Sequence, residues 1–136
     1  ERRYNPEGHD NNYLVDNRDD LTVSALTTNL RWQRAGSDIN SIKSIQKWVG
    51  ELNRENFAGH NDWRLPTFEE ALSLAIKTKN NKELYLHPCF SAGQPFIFTT
   101  DKRDPGGHWF VDFAQARVFW ASGFNPGGFG RVCRNI

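Results

Sequence analysis

The chain predicts an α+β domain: two helices packed on a mainly antiparallel sheet. Three observations carry this. Two early segments place apolar residues at spacings of three and four, the C-terminal half switches to alternation, and a hairpin-length loop joins two of the alternating runs. At 136 residues the length suits one domain, able to bury roughly two-thirds of its unfolded surface. Mean hydropathy is −0.70, yet 5 Trp, 3 Tyr and 10 Phe are far more aromatic residues than a disordered chain carries. An aromatic core inside a polar shell accounts for both. No apolar run approaches the ~20 residues of a membrane helix. A net charge of +1 argues against nucleic-acid binding.

Residues 1–13 read as a polar arm or linker, and 14–136 as the single domain. A chain that opens on Glu1 and contains no methionine is expected to be part of a larger protein. Asp10, Asp16, Asp19 and Asp20 lack the spacing and glycine of an EF-hand and are read as solvated turns. Leu21-Thr-Val and Leu30-Arg-Trp-Gln predict two strands around a turn at Thr27-Thr28-Asn29. Asp38 is the expected cap of a first helix, whose stripe is Ile39, Ile42, Ile45, Trp48, Val49 and Leu52. Thr67 followed by Glu70 is a capping box, and it starts a second helix that buries Ala71, Leu72, Leu74, Ala75 and Ile76 and ends at Asn80-Asn81. Phe96-Ile-Phe-Thr-Thr, His108 to Phe113, Arg117 to Trp120 and Arg131 to Arg134 then read as strands.

The search for chemistry excludes more than it finds. No Gly-x-Ser-x-Gly elbow occurs, no phosphate loop follows Gly106-Gly107 or Gly127-Gly128, and no histidine pair has the spacing of a helical metal site. His60 near Asp62 and His87 near Cys89 are the nearest approaches to catalytic pairs. No cofactor or metal is expected. Cys89 and Cys133 can be two buried thiols, or a disulfide closing a loop worth about 4 kcal/mol, and both readings stay open. In the C-terminal third, Lys102, Arg103, Arg117, Arg131 and Arg134 are interleaved with aromatics. Trp32, Trp48, Trp63, Trp109 and Phe113 fall at periodic or motif positions and read as core. Arg103, Trp120, Ser122, Phe124, Asn125, Phe129 and Arg131 lie in or beside glycine-rich loops. They are the expected ligand-binding residues, acting by stacking and hydrogen bonding.

The run Gly59-His-Asn-Asp-Trp-Arg-Leu-Pro-Thr67, continuing into Glu69-Glu70-Ala-Leu-Ser-Leu, resembles the hallmark of the Lcl C-terminal domain family, named for a Legionella collagen-like adhesin. Asp16-Asn-Arg-Asp-Asp-Leu-Thr-Val, Thr28-Asn-Leu-Arg-Trp-Gln33, Trp109-Phe-Val-Asp-Phe113 and Val132-Cys-Arg134 resemble its other motifs in order. The resemblance implies a C-type-lectin-like fold with adjacent N- and C-terminal strands. It also implies extracellular or cell-surface binding, with glycosaminoglycan adhesion in the founding member. The signatures of calcium-dependent sugar binding are absent, because Gln94-Pro95 is followed by Phe96, which cannot ligate a cation. Asp62 and Arg64 are read as architectural.

The expected function is therefore a non-catalytic recognition or adhesion module, taking a protein or carbohydrate ligand at its C-terminal loops. One alternative is a lectin-fold binder diversified by retroelements, whose variable positions would fall between Phe119 and Arg131. Another is an enzyme related to the formylglycine-generating enzymes, which share the lectin-like fold. A third is a domain whose role is homo-oligomerisation.

Overall fold

Turn chemistry sets the first sheet. In the computed structural model, which describes residues 2–3, 14–76, 79–102, 107–122 and 127–136, strand β2 (Leu14–Asp16) reverses into β3 (Thr22–Ala25) around Asp19. Its Oδ1 accepts from the Leu21 and Thr22 N–H groups at 2.9 and 2.8 Å, and its Oδ2 accepts from the Thr22 hydroxyl. An aspartate bonding the backbone two residues on is a standard turn device, and Asp19 is spent on it. Asn29, at φ 56°, turns β3 into β4 (Leu30–Gln33), since asparagine tolerates the left-handed region. The short strand β1 (Arg2–Arg3) pairs with β2 on the outer side. Strand β8 (Cys133–Asn135) pairs antiparallel with β4 on the inner side, completing the order β1-β2-β3-β4-β8. An N-terminal strand, β4, is therefore adjacent to the C-terminal strand, as expected.

Helix α1 (Ile42–Arg54) starts at Ser41, whose hydroxyl accepts from the Ser44 N–H. Asp38 is not the cap, and Ile39 stays exposed, because Asn40 is held in extended backbone by a bridge to Gly128. Helix α2 (Phe68–Leu72) begins with the expected capping box: Thr67 accepts from the Glu70 N–H, and Glu70 accepts from the Thr67 N–H. It stops eight residues earlier than the periodicity predicts. Ala75 leaves the helix to bridge Leu86, and the Ile76 N–H donates to Tyr85 O. Leu74 is nevertheless buried, so the apolar spacing was met by a turn and a bridge instead of a longer helix.

The second sheet is β5 (Phe96–Lys102), β6 (His108–Asp112) and β7 (Arg117–Ala121), antiparallel in that order. Directly opposite residues share a face. Phe98, Phe110 and Phe119 lie on one, where the Phe110 and Phe119 rings stack at 5.0 Å and pack under Ile42, Ile45 and Leu65 with Trp48 and Val49 alongside. Ile97 and Val111 lie on the other, in a core shared with Val23, Ala25, Leu30 and Trp32 of the first sheet and Ala71 of α2. Strand alternation thus feeds two separate cores. Trp32 and Phe113 are fully buried, as the sequence predicts.

The segment from Gly59 to Thr67 ties these parts together. Trp63, buried, has its backbone N–H and C=O both bonded by the Asn53 side chain at 2.7 and 2.9 Å, and its indole donates to Phe57 O. Arg64 makes a two-pronged contact to Glu70 at 2.7 and 2.8 Å, donates to Asn135, and exchanges both backbone hydrogen bonds with Cys133. That contact holds the Glu70 carboxyl below its usual range and raises Arg64. Asp62 pairs with Arg134 at 2.6 and 3.1 Å, and Arg31 lies directly opposite Arg134 on β4. Arg31 in turn donates to His60 Nε2 at 2.9 Å. Asp62 and Arg64 are architectural.

Candidate ligand-binding surface

Trp120 has the most exposed aromatic side chain among the described residues, at 50%, on β7. Register places it opposite Trp109 of β6, with Val118 opposite Val111 on the same face. Trp109, Val118 and Phe68 of α2 line a cleft of about 210 Å³ whose wall is almost wholly apolar. Trp109 was expected in the core. It is half-buried instead, and lines the cleft with Phe68 and Val118. The sequence contained one signal for this grouping, the alternation that puts 109, 111, 118 and 120 on one face. It held none for how much of that face other elements cover.

Ser122 is exposed and follows β7 directly. Lys102, His108 and Ala121 mark one end of the three-stranded sheet, since Lys102 pairs with His108 and His108 with Ala121. The chain enters segments 103–106 and 123–126 from that same end. Arg103, Phe124 and Asn125 lie outside the described residues.

One expected ligand contact is corrected. Arg131 is not at the surface: it is fully buried, with Nε donating to Ala35 O at 2.8 Å and Nη2 donating to Arg34 O, Ser91 O and Gln94 Oε1 at 3.1–3.3 Å. The guanidinium also lies over the Phe90 ring at 5.1 Å. Burial pulls its pKa down to about 10, so it remains a cation at neutral pH, surrounded by carbonyl oxygens. Phe129 is half-buried, its ring edge-on to Phe96 at 5.1 Å, and its carbonyl accepts from the Phe98 N–H. Both residues hold the last segment of the chain against loops 34–37 and 91–94 and strand β5.

Neither cysteine is in a disulfide, and both are buried. Burial pushes Cys133 up to about 12. His87 Nδ1 accepts from the Cys89 backbone N–H, and His60 and Asp62 are engaged by arginines. Among the described residues no group of His, Cys, Asp and Glu could hold a metal ion, and no helix is long and apolar enough to cross a membrane.

An α+β unit of two antiparallel sheets, with its last strand paired to the N-terminal strand β4 and one aromatic-and-arginine segment bonded to both helices and the last strand, is the class this chain falls in. The chain belongs to the Lcl C-terminal domain family, whose model matches residues 21–134. No curated protein and no solved structure matches it.

Proposed function

We propose that this domain is a non-catalytic recognition module of a surface or extracellular protein, and that it takes a protein or glycan ligand on the face of β7. The observation that carries the reading is Trp120, half-exposed and opposite Trp109, which with Val118 and Phe68 lines an apolar cleft. A large aromatic left in water next to an apolar cleft gains by covering with the apolar face of a sugar ring or with an apolar side chain. Ser122 supplies a hydroxyl at the rim. Family membership supports binding as the kind of function, and the buried thiols favour binding over thiol chemistry. Arrays of glycans and of protein ligands, probed with the wild-type chain and with Trp120→Ala, test it. Signals that Trp120→Ala loses without a change in melting temperature are expected; signals it retains in full reject the β7 surface.

A further inference from the structure

A second cleft, of about 320 Å³, lies beside α1 and is lined by Gly36, Ser37, Asp38, Asn40, Ser44 and Trp48 together with Ile45. Its size is at the lower end for small-molecule sites, roughly 300–1,000 Å³. It is separate from the β7 surface, because α1 packs on the Phe110–Phe119 face of the three-stranded sheet while Trp120 lies on the opposite face.

Two properties distinguish this cleft from a surface dimple. The first is that its wall is rigidly held. The Ser37 N–H donates to Gly130 O at 2.9 Å, the Gly130 N–H donates to Ser37 Oγ at 2.8 Å, and Gln94 donates to Ser37 O at 3.0 Å. Asn40 and Gly128 exchange both backbone hydrogen bonds at 2.9 Å. Gly127, at φ +88°, lies so close to Asn40 O that no side chain fits there. Arg131 fixes the entry to the same loop through Ala35 O.

The second is unused hydrogen-bonding capacity. Among the described residues the Asp38 carboxylate, the Asn40 side-chain NH₂ and the Trp48 indole N–H have no hydrogen-bond partner. Ser44 Oγ accepts from Ser41 and keeps its own hydrogen. Residues that carry two N–H donors, a hydroxyl and a carboxylate acceptor thus line one cleft together with an indole. A carboxylate with no cation beside it is best satisfied by two O–H donors, as adjacent hydroxyls of a sugar supply, and it repels an anion. The indole offers an apolar wall for the C–H face of the ring.

We infer that this cleft binds a neutral sugar ring, stacked on Trp48 and hydrogen-bonded through adjacent hydroxyls to Asp38. The affinity of such a site for one ring lies in the millimolar range.

The test is NMR titration of the intact chain with methyl glycosides of neutral hexoses, following the indole N–H signals, with Trp48 assigned by its loss in Trp48→Phe. Saturable shifts at the Trp48 indole and at backbone amides 36–44 are expected. Asp38→Asn, at an exposed position that leaves the fold intact, weakens binding about tenfold or more. Trp120→Ala leaves it unchanged, so loss of the β7 reading and loss of this one are read separately. No shift at the Trp48 indole with any neutral glycoside at tens of millimolar overturns the inference. So does binding that Asp38→Asn does not weaken, or a uronic acid that binds as well as its neutral counterpart.

Discussion

The segment from Gly59 to Thr67 and the strand from Arg117 to Ala121 use the same kinds of residue to opposite ends. In the first, the tryptophan is buried and the arginine is bonded to other parts of the chain. The Trp63 indole and backbone are bonded to Phe57 and Asn53, and Arg64 reaches Glu70 and Asn135. In the second, Trp120 and Val118 face outward beside an apolar cleft. A motif rich in tryptophan and arginine therefore does not by itself mark a binding site. What separates the two is how much of the aromatic the fold covers: Trp63 is 2% exposed and Trp120 50%. Arg131 belongs with the inward group despite its place beside glycine-rich loops, because it is fully buried and its Nε and Nη2 donate to backbone carbonyls and Gln94.

That contrast can be broken by substitution. Arg131→Ala has the largest expected effect. It leaves three carbonyl acceptors and Gln94 without their donor and opens a cavity, and a loss of about 4 kcal/mol should be read in urea unfolding. A loss under about 1 kcal/mol would return Arg131 to the surface group. Asn53→Ala comes next. It strips the side-chain partners from the backbone N–H and C=O of buried Trp63, and about 2 kcal/mol should be lost. Restoration by Asn53→Gln is not expected, because the longer side chain cannot meet both groups at this spacing.

A pH effect sharpens the comparison further. Desolvation, with Arg134 and Arg31 close by, lowers His60 below its ordinary 6.5. The folded state therefore binds fewer protons there than the unfolded state. The His60 contribution is present above pH 6.5 and is lost as pH falls through the lowered folded value. Physically, a protonated His60 cannot accept from Arg31. Glu70 and Asp62 are held below their usual values by Arg64 and Arg134 and stay ionised in this window. The melting temperature should decline between pH 7 and about 5, and His60→Gln should flatten the upper part of that decline. An equal slope in the variant would remove His60 from the account. Smallest of all, Trp120→Ala should alter stability by no more than about 0.5 kcal/mol, the usual range for surface positions. A loss of 2 kcal/mol or more, by the same unfolding experiment, would move Trp120 into the inward group.

Much of this was legible where the determining interactions are local. The capping box at Thr67 and Glu70, the strand Leu30–Gln33 and the alternation of residues 108–113 follow from neighbours in sequence, and each is present. Tertiary competition set what was not. Helix α1 starts three residues later than Asp38 implied, since Asn40 is held by Gly128, 88 positions away. Helix α2 ends at Leu72 because Ala75 pairs with Leu86, and no glycine or proline announces it. Strand β2 was hidden in a polar stretch with only Leu14 and Val15 as signal. The site was half legible. Trp120 is readable as an aromatic at the edge of a glycine-rich loop. Arg131 and Phe129 read the same way but are held by loops distant in sequence, and Asp38 with Trp48 becomes a cleft only once residues 127–130 pack against residues 36–40.

The central claim is that ligand meets the outward face of β7 and not the inward-bonded segment. Hydrogen–deuterium exchange of the intact chain, with and without the tightest ligand found on the arrays, measures this directly. Protection confined to Trp109 and Arg117–Ser122, with Gly59–Thr67 unchanged, is the predicted result. Protection of Gly59–Thr67 with β7 unaffected would contradict it.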